Sequence, residues 1–368
     1  MEKEKINPFQ LFVLMVLFEL GSAIVIAIGV DAKQGAWLSI FLGLLAGLVI
    51  YVMYYYLYKQ FPTLPLTVYV KKLLGKFLGS IIGFSYIVYF LYLASRVLRD
   101  FGDLLLTSTL PETPLFVINV LMICTIVYLL YHGIEVFART GEFYFLILLL
   151  IGLFANLLIF LSDIIDLQNL FPLLGDGWRA IVLSAFPVGF TFPFGEIVVF
   201  TMILPHLNSQ GNALKIGWAA LLVSGVVIIY TTMMNFAVLG VDIATRATFP
   251  LLATVSKIRV ADFLERLDAL VVVTLVITMF FKIAVFMYAS ILGIKHLFNV
   301  KSQQSLVLPI GIVVIFTSVT MAGSFTEHLE EGVEVVPYLL HLPFQIGIPV
   351  ILLIVSVVRR KVKKLQVN

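Results

Sequence analysis

Charge is what this sequence has least of. Only 12% of its 368 residues are Asp, Glu, Lys or Arg, about half the share of a soluble domain. A larger core does not account for the deficit, because a soluble fold of any size still needs a polar coat. Cysteine is nearly absent too. The lone Cys124 excludes a disulfide within the chain and any cysteine-based metal cluster, leaving a packed thiol inside an apolar run as its expected role. The five histidines, His132, His206, His296, His328 and His341, fall in expected loops or near the ends of apolar runs. There is no zinc-ligand spacing, glycine-rich phosphate loop or nucleophile elbow, so no metal, no cofactor and no enzyme chemistry is expected. Lysines and arginines border the apolar runs instead of forming a basic face, which removes nucleic acid as a partner.

What fills the chain is hydrocarbon. Hydrophobic residues make up 61% of it, with a mean hydropathy of +1.09. A membrane-crossing helix takes about 20 mostly apolar residues. That ruler places ten spans near 9–30, 35–58, 79–107, 115–131, 142–162, 178–204, 214–241, 267–293, 306–323 and 335–358. Helices are the expected spanning element, since irregular lipid-facing backbone would leave amide groups unpaired. The first run is longer than a signal-peptide core and lacks a small-residue cleavage site, so it reads as a retained span. No linker or low-complexity stretch interrupts the series, which predicts a single transmembrane domain over 1–368. Fifteen Lys and Arg fall on the side of the N-terminus and six on the other, which predicts that both termini are cytoplasmic. Residues 61–76, with Pro62, Pro65 and three lysines, read as an interfacial helix on which Tyr69 and Leu73 share a face. Residues 242–266 read as an outer helix over the bundle mouth or an ordinary interfacial loop.

Two spans are interrupted. The first carries Glu19, Gly21, Ser22 and Ala23 at its middle. The sixth carries prolines at 187 and 193 and glycines at 189 and 195. Proline removes an amide donor and clashes with the preceding turn, so this helix is expected to break. Each broken span opens a group of five, the layout of inverted-repeat transporters whose site lies at the midplane between half-helices. A second half-helix would offer free N–H groups near Ser22, Ala23 and Ile24 to a carboxylate, and the preceding carbonyls would suit an ammonium. Close helix packing through small residues is the alternative for Gly21 and Ser22.

Ionisable residues inside spans are costly and are functional candidates. Here they are Glu19, Glu196 and Lys282, with Arg96, Arg99, Asp100 and Asp103 in the third span. Lys282 is expected to pair with either acid, as a structural tie, a substitute for a metal cation or a proton carrier. The third-span quartet recurs at three- and four-residue spacing, so it shares a face and can pair within the helix. It reads as an outer vestibule or gate, or else a solvated helix end. Phe190, Phe192, Phe194, Tyr86 and Tyr89 are candidates to wall an apolar pocket, or are packing.

Several stretches match a known family in order and spacing. They are Asn7-Pro8-Phe9-Gln10 with the break at Gly21-Ser22-Ala23, Phe61-Pro62-Thr63-Leu64-Pro65, and the run from Leu74-Gly75-Lys76 to Gly83. The stretches 109–115, 171–177 and 192–196 and the basic tail 359–364 continue the match. The whole chain resembles the B subunits of the germinant receptors of endospore-forming bacteria, within the amino acid–polyamine–organocation transporter superfamily. The resemblance implies an all-α, LeuT-like fold of ten helices in a five-plus-five inverted repeat, with repeats over about 9–162 and 178–358. It implies the spore inner membrane, a larger membrane A subunit and a C-subunit lipoprotein as partners, and recognition of a small nutrient such as an amino acid. Carried over by position, the pocket involves Gly21, Ser22 and Ala23 on the first helix and Phe190, Phe194 and Glu196 on the sixth, with Tyr86 and Lys282 beside them. The competing expectation is a free-standing proton-coupled amino-acid permease, with Glu19, Glu196 or Lys282 as the coupling group.

Overall fold

The computed structural model describes residues 5–26, 28–258 and 268–367, with backbone alone for 210 and 361–367. Lys3, Arg259 and Arg266 of the charge tally, and part of the predicted 242–266 helix, lie outside the described residues. Regular structure among the described residues is helical, apart from one isolated bridge between Ile6 and Leu207.

Helix α1 (Pro8–Leu20) starts on a capping box. The Asn7 side chain accepts from the Gln10 amide at 2.8 Å and the Gln10 side chain accepts from the Asn7 amide at 2.9 Å, satisfying two donors that open every helix. Then follow α2 (Ala36–Gln60), the short α3 (Leu66–Leu74), α4 (Lys76–Ser108), α5 (Leu115–Tyr131) and α6 (Ile134–Leu161). The second half begins with α7 (Trp178–Ser184) and runs through irregular helix to Met202. After it come α8 (Ala213–Leu239), the short α9 (Val241–Arg246) and α10 (Pro250–Val255), then α11 (Asp268–Phe298) and α12 (Gln304–Thr320). Helix α13 (Phe325–Glu334), a wide-turned helix (Pro337–Gly347) and α14 (Ile348–Val367) close the chain.

Seven helical stretches are long and apolar enough to cross a membrane, and α12 joins them as a pair bent by 100° onto α13. The apolar α1 and α5 are shorter. Each of the ten predicted spans falls on one of these ten segments. Helix α11 runs through the middle of the bundle, with every side chain from Phe281 to Leu292 buried. Helix α6 stands at the rim, where 11% of its apolar window is buried, against 72% for the broken span Trp178–Met202. Helix α3 buries Tyr69 and Leu73 together, as their spacing predicts.

Both interruptions form, in different ways. In the sixth span the α-helix stops at Ser184, and Phe186 takes an extended conformation (φ −131°, ψ 131°) within a wide turn over Ala185–Gly189. The chain resumes as a 3-10 helix over Phe194–Met202. In the first span the α-helix ends at Leu20 and residues 21–25 form turns, without a second α-helical half. Ile24, Val25, Ile26, Ile28 and Val30 crowd this stretch with β-branched side chains, and Gly29 takes a left-handed φ of +75°, both unfavourable to helix. The expected half-helix N-terminus after Gly21 is therefore absent, and the Ile24 amide, expected to be free, donates to the Leu20 carbonyl at 3.2 Å.

Two glycines of α2 let the broken span come close. A β-carbon on Gly43 would strike the Gly189 carbonyl, and one on Gly47 would meet the Phe194 β-carbon at 2.6 Å. The small-residue rule of membrane helix packing is met here by a helix against an irregular segment. One smaller expectation is corrected: Cys124 is exposed on α5 instead of packed. The acidic stretch 327–334 makes up most of α13.

Candidate functional site

Helix α13 roofs a cavity of about 230 Å³ that reaches down to the two breaks. Ser22 and Ile26 of the first break, with Phe192 and Glu196 of the sixth-span break and His341 of the wide-turned helix, form its deep end. Leu93, Arg96, Val97 and Asp100 of α4 form one wall, and Leu329, Gly332 and Val333 of α13 lie over it. Asp31 enters from the 3-10 turn that precedes α2. The roof is therefore aliphatic, the α4 wall mixes Leu93 and Val97 with the charged Arg96 and Asp100, and the deep end carries carboxylate, imidazole and hydroxyl groups.

Lys282 organises the ground beneath. Its Nζ lies 2.6 Å from Glu196 Oε2, with the lysine fully buried. The ammonium also stands over two ring faces, 5.1 Å from the Phe18 centroid and 4.7 Å from that of Phe192, positions that favour a cation electrostatically. Its stem passes where a β-carbon of Gly21 would be, so Gly21 admits the lysine. The Thr278 hydroxyl lies 3.2 Å from the Gly21 carbonyl and 3.0 Å from that of Leu275, so the carbonyl expected to meet an ammonium has a donor of the protein within reach. One ion pair thus ties α1, the broken span and α11.

The other Glu196 oxygen lies 4.0 Å from His341 Nε2. Gln345 Nε2 donates to the Tyr89 hydroxyl at 2.9 Å, and that hydroxyl lies 2.8 Å from His341 Nδ1. A hydroxyl that receives from the amide has its own proton to give to Nδ1, which leaves the imidazole proton on Nε2, facing Glu196. Gly195 is the contact point: a β-carbon there would strike Gln345 Oε1. Glu19, at the end of α1, is fully buried, and neither of its carboxylate oxygens has a hydrogen-bond partner among the described residues.

The α4 quartet divides. Arg99 pairs with Asp103 at 2.5 Å within the helix and donates to the Ala322 carbonyl at 3.3 Å. Arg96 and Asp100 instead reach α13. Arg96 bonds the His328 carbonyl at 2.6 Å and Glu331 at 3.3 Å, and Asp100 meets His328 Nε2 at 2.8 Å. Arg99, Asp100 and Asp103 are buried, not a solvated helix end.

Of the residues singled out from sequence, Ser22, Glu196, Arg96, Asp100 and Phe192 line the cavity. Gly21 and Lys282 pack just beneath it. Ala23 faces a separate small pocket, and Phe190 and Phe194 are buried in the core. Tyr86 is spent on the Phe344 carbonyl at 2.7 Å, while Tyr89 positions His341. Sequence reading passed over His341, Gln345 and His328 by assigning histidines to loops and span ends. The signal for the first two was a polar pair four residues apart inside an apolar span.

Residues 5–326 match the family model described as spore germination protein. The chain belongs to that family. It is 40% identical to spore germination protein KB of Bacillus subtilis (strain 168) over 98% of this chain and 97% of that one. It is 28% identical to spore germination protein A2 of the same organism, over 70% of this chain and 69% of the relative. Two solved transporters share its fold, each with a TM-score of 0.66. Mhp1, a nucleobase-cation-symport-1 family transporter in a closed conformation with bromovinylhydantoin bound, is 13% identical and matches 90% of this chain and 75% of its own. MhsT in complex with L-phenylalanine is 11% identical and matches 97% and 99%. The chain is therefore a multi-pass membrane protein of the LeuT fold, permease-like in build, with no catalytic family indicated.

Proposed function

We propose that this member of the spore germination family is the nutrient-sensing subunit of a germinant receptor, taking a small amino acid in the cavity between the two breaks. The observation that carries the reading is the cavity's make-up: an aliphatic roof, and a wall of Leu93 and Val97 flanked by Arg96 and Asp100, over a deep end where Glu196, His341 and Ser22 converge. Such a site suits a ligand with a polar head and a short apolar side chain. The relatives' germination names and the L-phenylalanine bound to MhsT support the ligand class. Ser22, Phe192, Glu196 and His341 would contact the nutrient, with Arg96 and Asp100 gating it through α13. Gly21 and Lys282 would shape the floor, Phe190 and Phe194 would support it from the core, Ala23 would line the small pocket alongside, and Tyr86 would act only through the wide-turned helix.

The reading places the protein in the spore inner membrane with both termini cytoplasmic, beside an A subunit and a C-subunit lipoprotein. The chain would act as one domain with repeats over about 9–162 and 178–358. Nutrient would enter from the outer face, and its differential affinity for two conformations would bias the partners. The test is dipicolinate release from spores lacking the chain, over a panel of amino acids, sugars and nucleosides. The proposal expects loss of one nutrient response, restored by the wild-type chain and not by Glu196→Gln or Ser22→Leu chains that accumulate normally. A normal dose–response from both variants would refute the site.

Glu19 favours a second reading. A buried carboxylate with no hydrogen-bond donor among the described residues, within electrostatic reach of Lys282 and Glu196, suits a proton-coupled amino-acid permease. Proton-dependent uptake into vesicles reconstituted with this chain, abolished by Glu19→Gln, would select it.

A further inference from the structure

A second cavity, of about 320 Å³, lies on the opposite side of the α1 break, between α1, α6, α8, α10 and α11. The two cavities share a partition. Ser22 and Ile26 face the nutrient cavity, while Leu20 and Ile24 face this one. Its lining is dominated by leucine, isoleucine and valine, and most of its polar members, Asn156, Tyr230, Thr254, Thr274 and Thr278 among them, already make hydrogen bonds within the protein. Asn156 donates to the Gly152 carbonyl at 2.7 Å and accepts the Tyr230 hydroxyl at 2.5 Å. Asn235 accepts the Thr254 hydroxyl at 2.8 Å, and Thr278 is bonded to Gly21. A polar ligand would find little to bond.

The mouth identifies the occupant. Leu149 and Leu153 of α6 and Val223 of α8 line the cavity and are also 49%, 63% and 40% exposed. They belong to two membrane-spanning helices, so the medium at the opening is hydrocarbon. Helix α6 is the least buried of the long spans, and a β-carbon added to its Gly152 would meet nothing within 4 Å. The gap behind α6 is thus a space that no side chain of the bundle fills, and an empty void there forfeits its dispersion contacts.

We propose that this cavity binds one acyl chain of a membrane lipid, which props the α1 break from behind. The site is independent of whether the outer cavity takes a nutrient. A chain seated there touches Leu20 and Ile24, each two residues from a side chain that faces the nutrient cavity, so the bilayer has a direct hold on the partition.

The test uses the full chain in nanodiscs of phosphatidylglycerol containing a lipid with a diazirine midway along one acyl chain. After irradiation, adducts are mapped by mass spectrometry. The proposal expects adducts on Leu20, Ile24 or Thr278, which the outer lipid face does not present, as well as on the exposed Phe160. Gly152→Phe, which grows into the open space, should lower the inner adducts at least five-fold and leave those on Phe160 unchanged. Ala155→Phe serves as a second variant should the first fail to give a monodisperse protein. Adducts confined to the outer faces would overturn the proposal, as would inner adducts unchanged in a folded variant. Inner adducts displaced by free amino acid would assign the cavity to a nutrient and also overturn it. So would their loss, together with those on Phe160, on co-reconstitution with the neighbouring receptor chains, which would make this face a protein interface.

Discussion

Removing Lys282 should be worse than removing Lys282 and Glu196 together. Their atoms are 2.6 Å apart and both side chains are buried. At that distance the gross attraction is about 6 kcal/mol with an effective dielectric near 20. Most of it offsets the desolvation of the two ions, so the pair adds little net stability over a neutral substitute. Lys282→Met strands a buried carboxylate and should cost about 3–5 kcal/mol. Glu196→Gln strands a buried ammonium, softened by the faces of Phe18 and Phe192, and should cost somewhat less. The double variant, neutral and similar in volume, should fall within about 2 kcal/mol of the parent, so the two losses are strongly non-additive. The assay is thermal unfolding of the purified protein followed by intrinsic tryptophan fluorescence, as a double-mutant cycle. A double variant as unstable as the sum of the singles would refute the reasoning, because the two groups would then act apart.

Gly195→Ala should destabilise by about 1–3 kcal/mol through overpacking against Gln345 Oε1, and the same substitution should cost clearly less in a Gln345→Ala background than in the parent, in the same melting assay. His328→Ala should release α13 by leaving Asp100 without its partner. A cysteine placed at Leu329 in a Cys124→Ser background should then be alkylated several-fold faster, and an unchanged rate would dismiss the latch. Cys124→Ser alone should shift stability by no more than about 0.5 kcal/mol, as surface changes do, because the thiol is exposed on α5.

Hydropathy made the spans legible because hydrocarbon thickness imposes their length, and Pro187 and Pro193 announced the sixth-span break in the same direct way. Glycine at 21 was legible as a break but not in its form. Whether helix resumes after it depends on a run of β-branched residues and on Gly29, effects too weak singly to decide from sequence. Glu196 and Lys282 stood out as charges in apolar spans, yet their pairing is a tertiary fact joining residues far apart in the chain. Arg96 and Asp100 resembled Arg99 and Asp103 in spacing alone. Helix α13 separates them by standing opposite one pair, which spacing within α4 cannot reveal. Its own start was readable from the spacing of Ser324 and Glu327: the Ser324 hydroxyl accepts from Glu327 N–H at 3.1 Å, and the Glu327 carboxylate accepts from Gly323 N–H at 2.8 Å.

The contact made by Gly43 and Gly47 governs how a disturbance at the cavity floor can leave it. With no side chain between them and the broken span, α2 has nothing to slide on. Its C-terminal part is also fastened: Tyr51, Tyr54 and Tyr58 donate their hydroxyls to the carbonyls of Ala213, Gln345 and Leu204. The 25-residue helix and the break therefore behave as one rigid yoke. A substitution that displaces Gly189 or Phe194 is therefore expected to displace α2 with it.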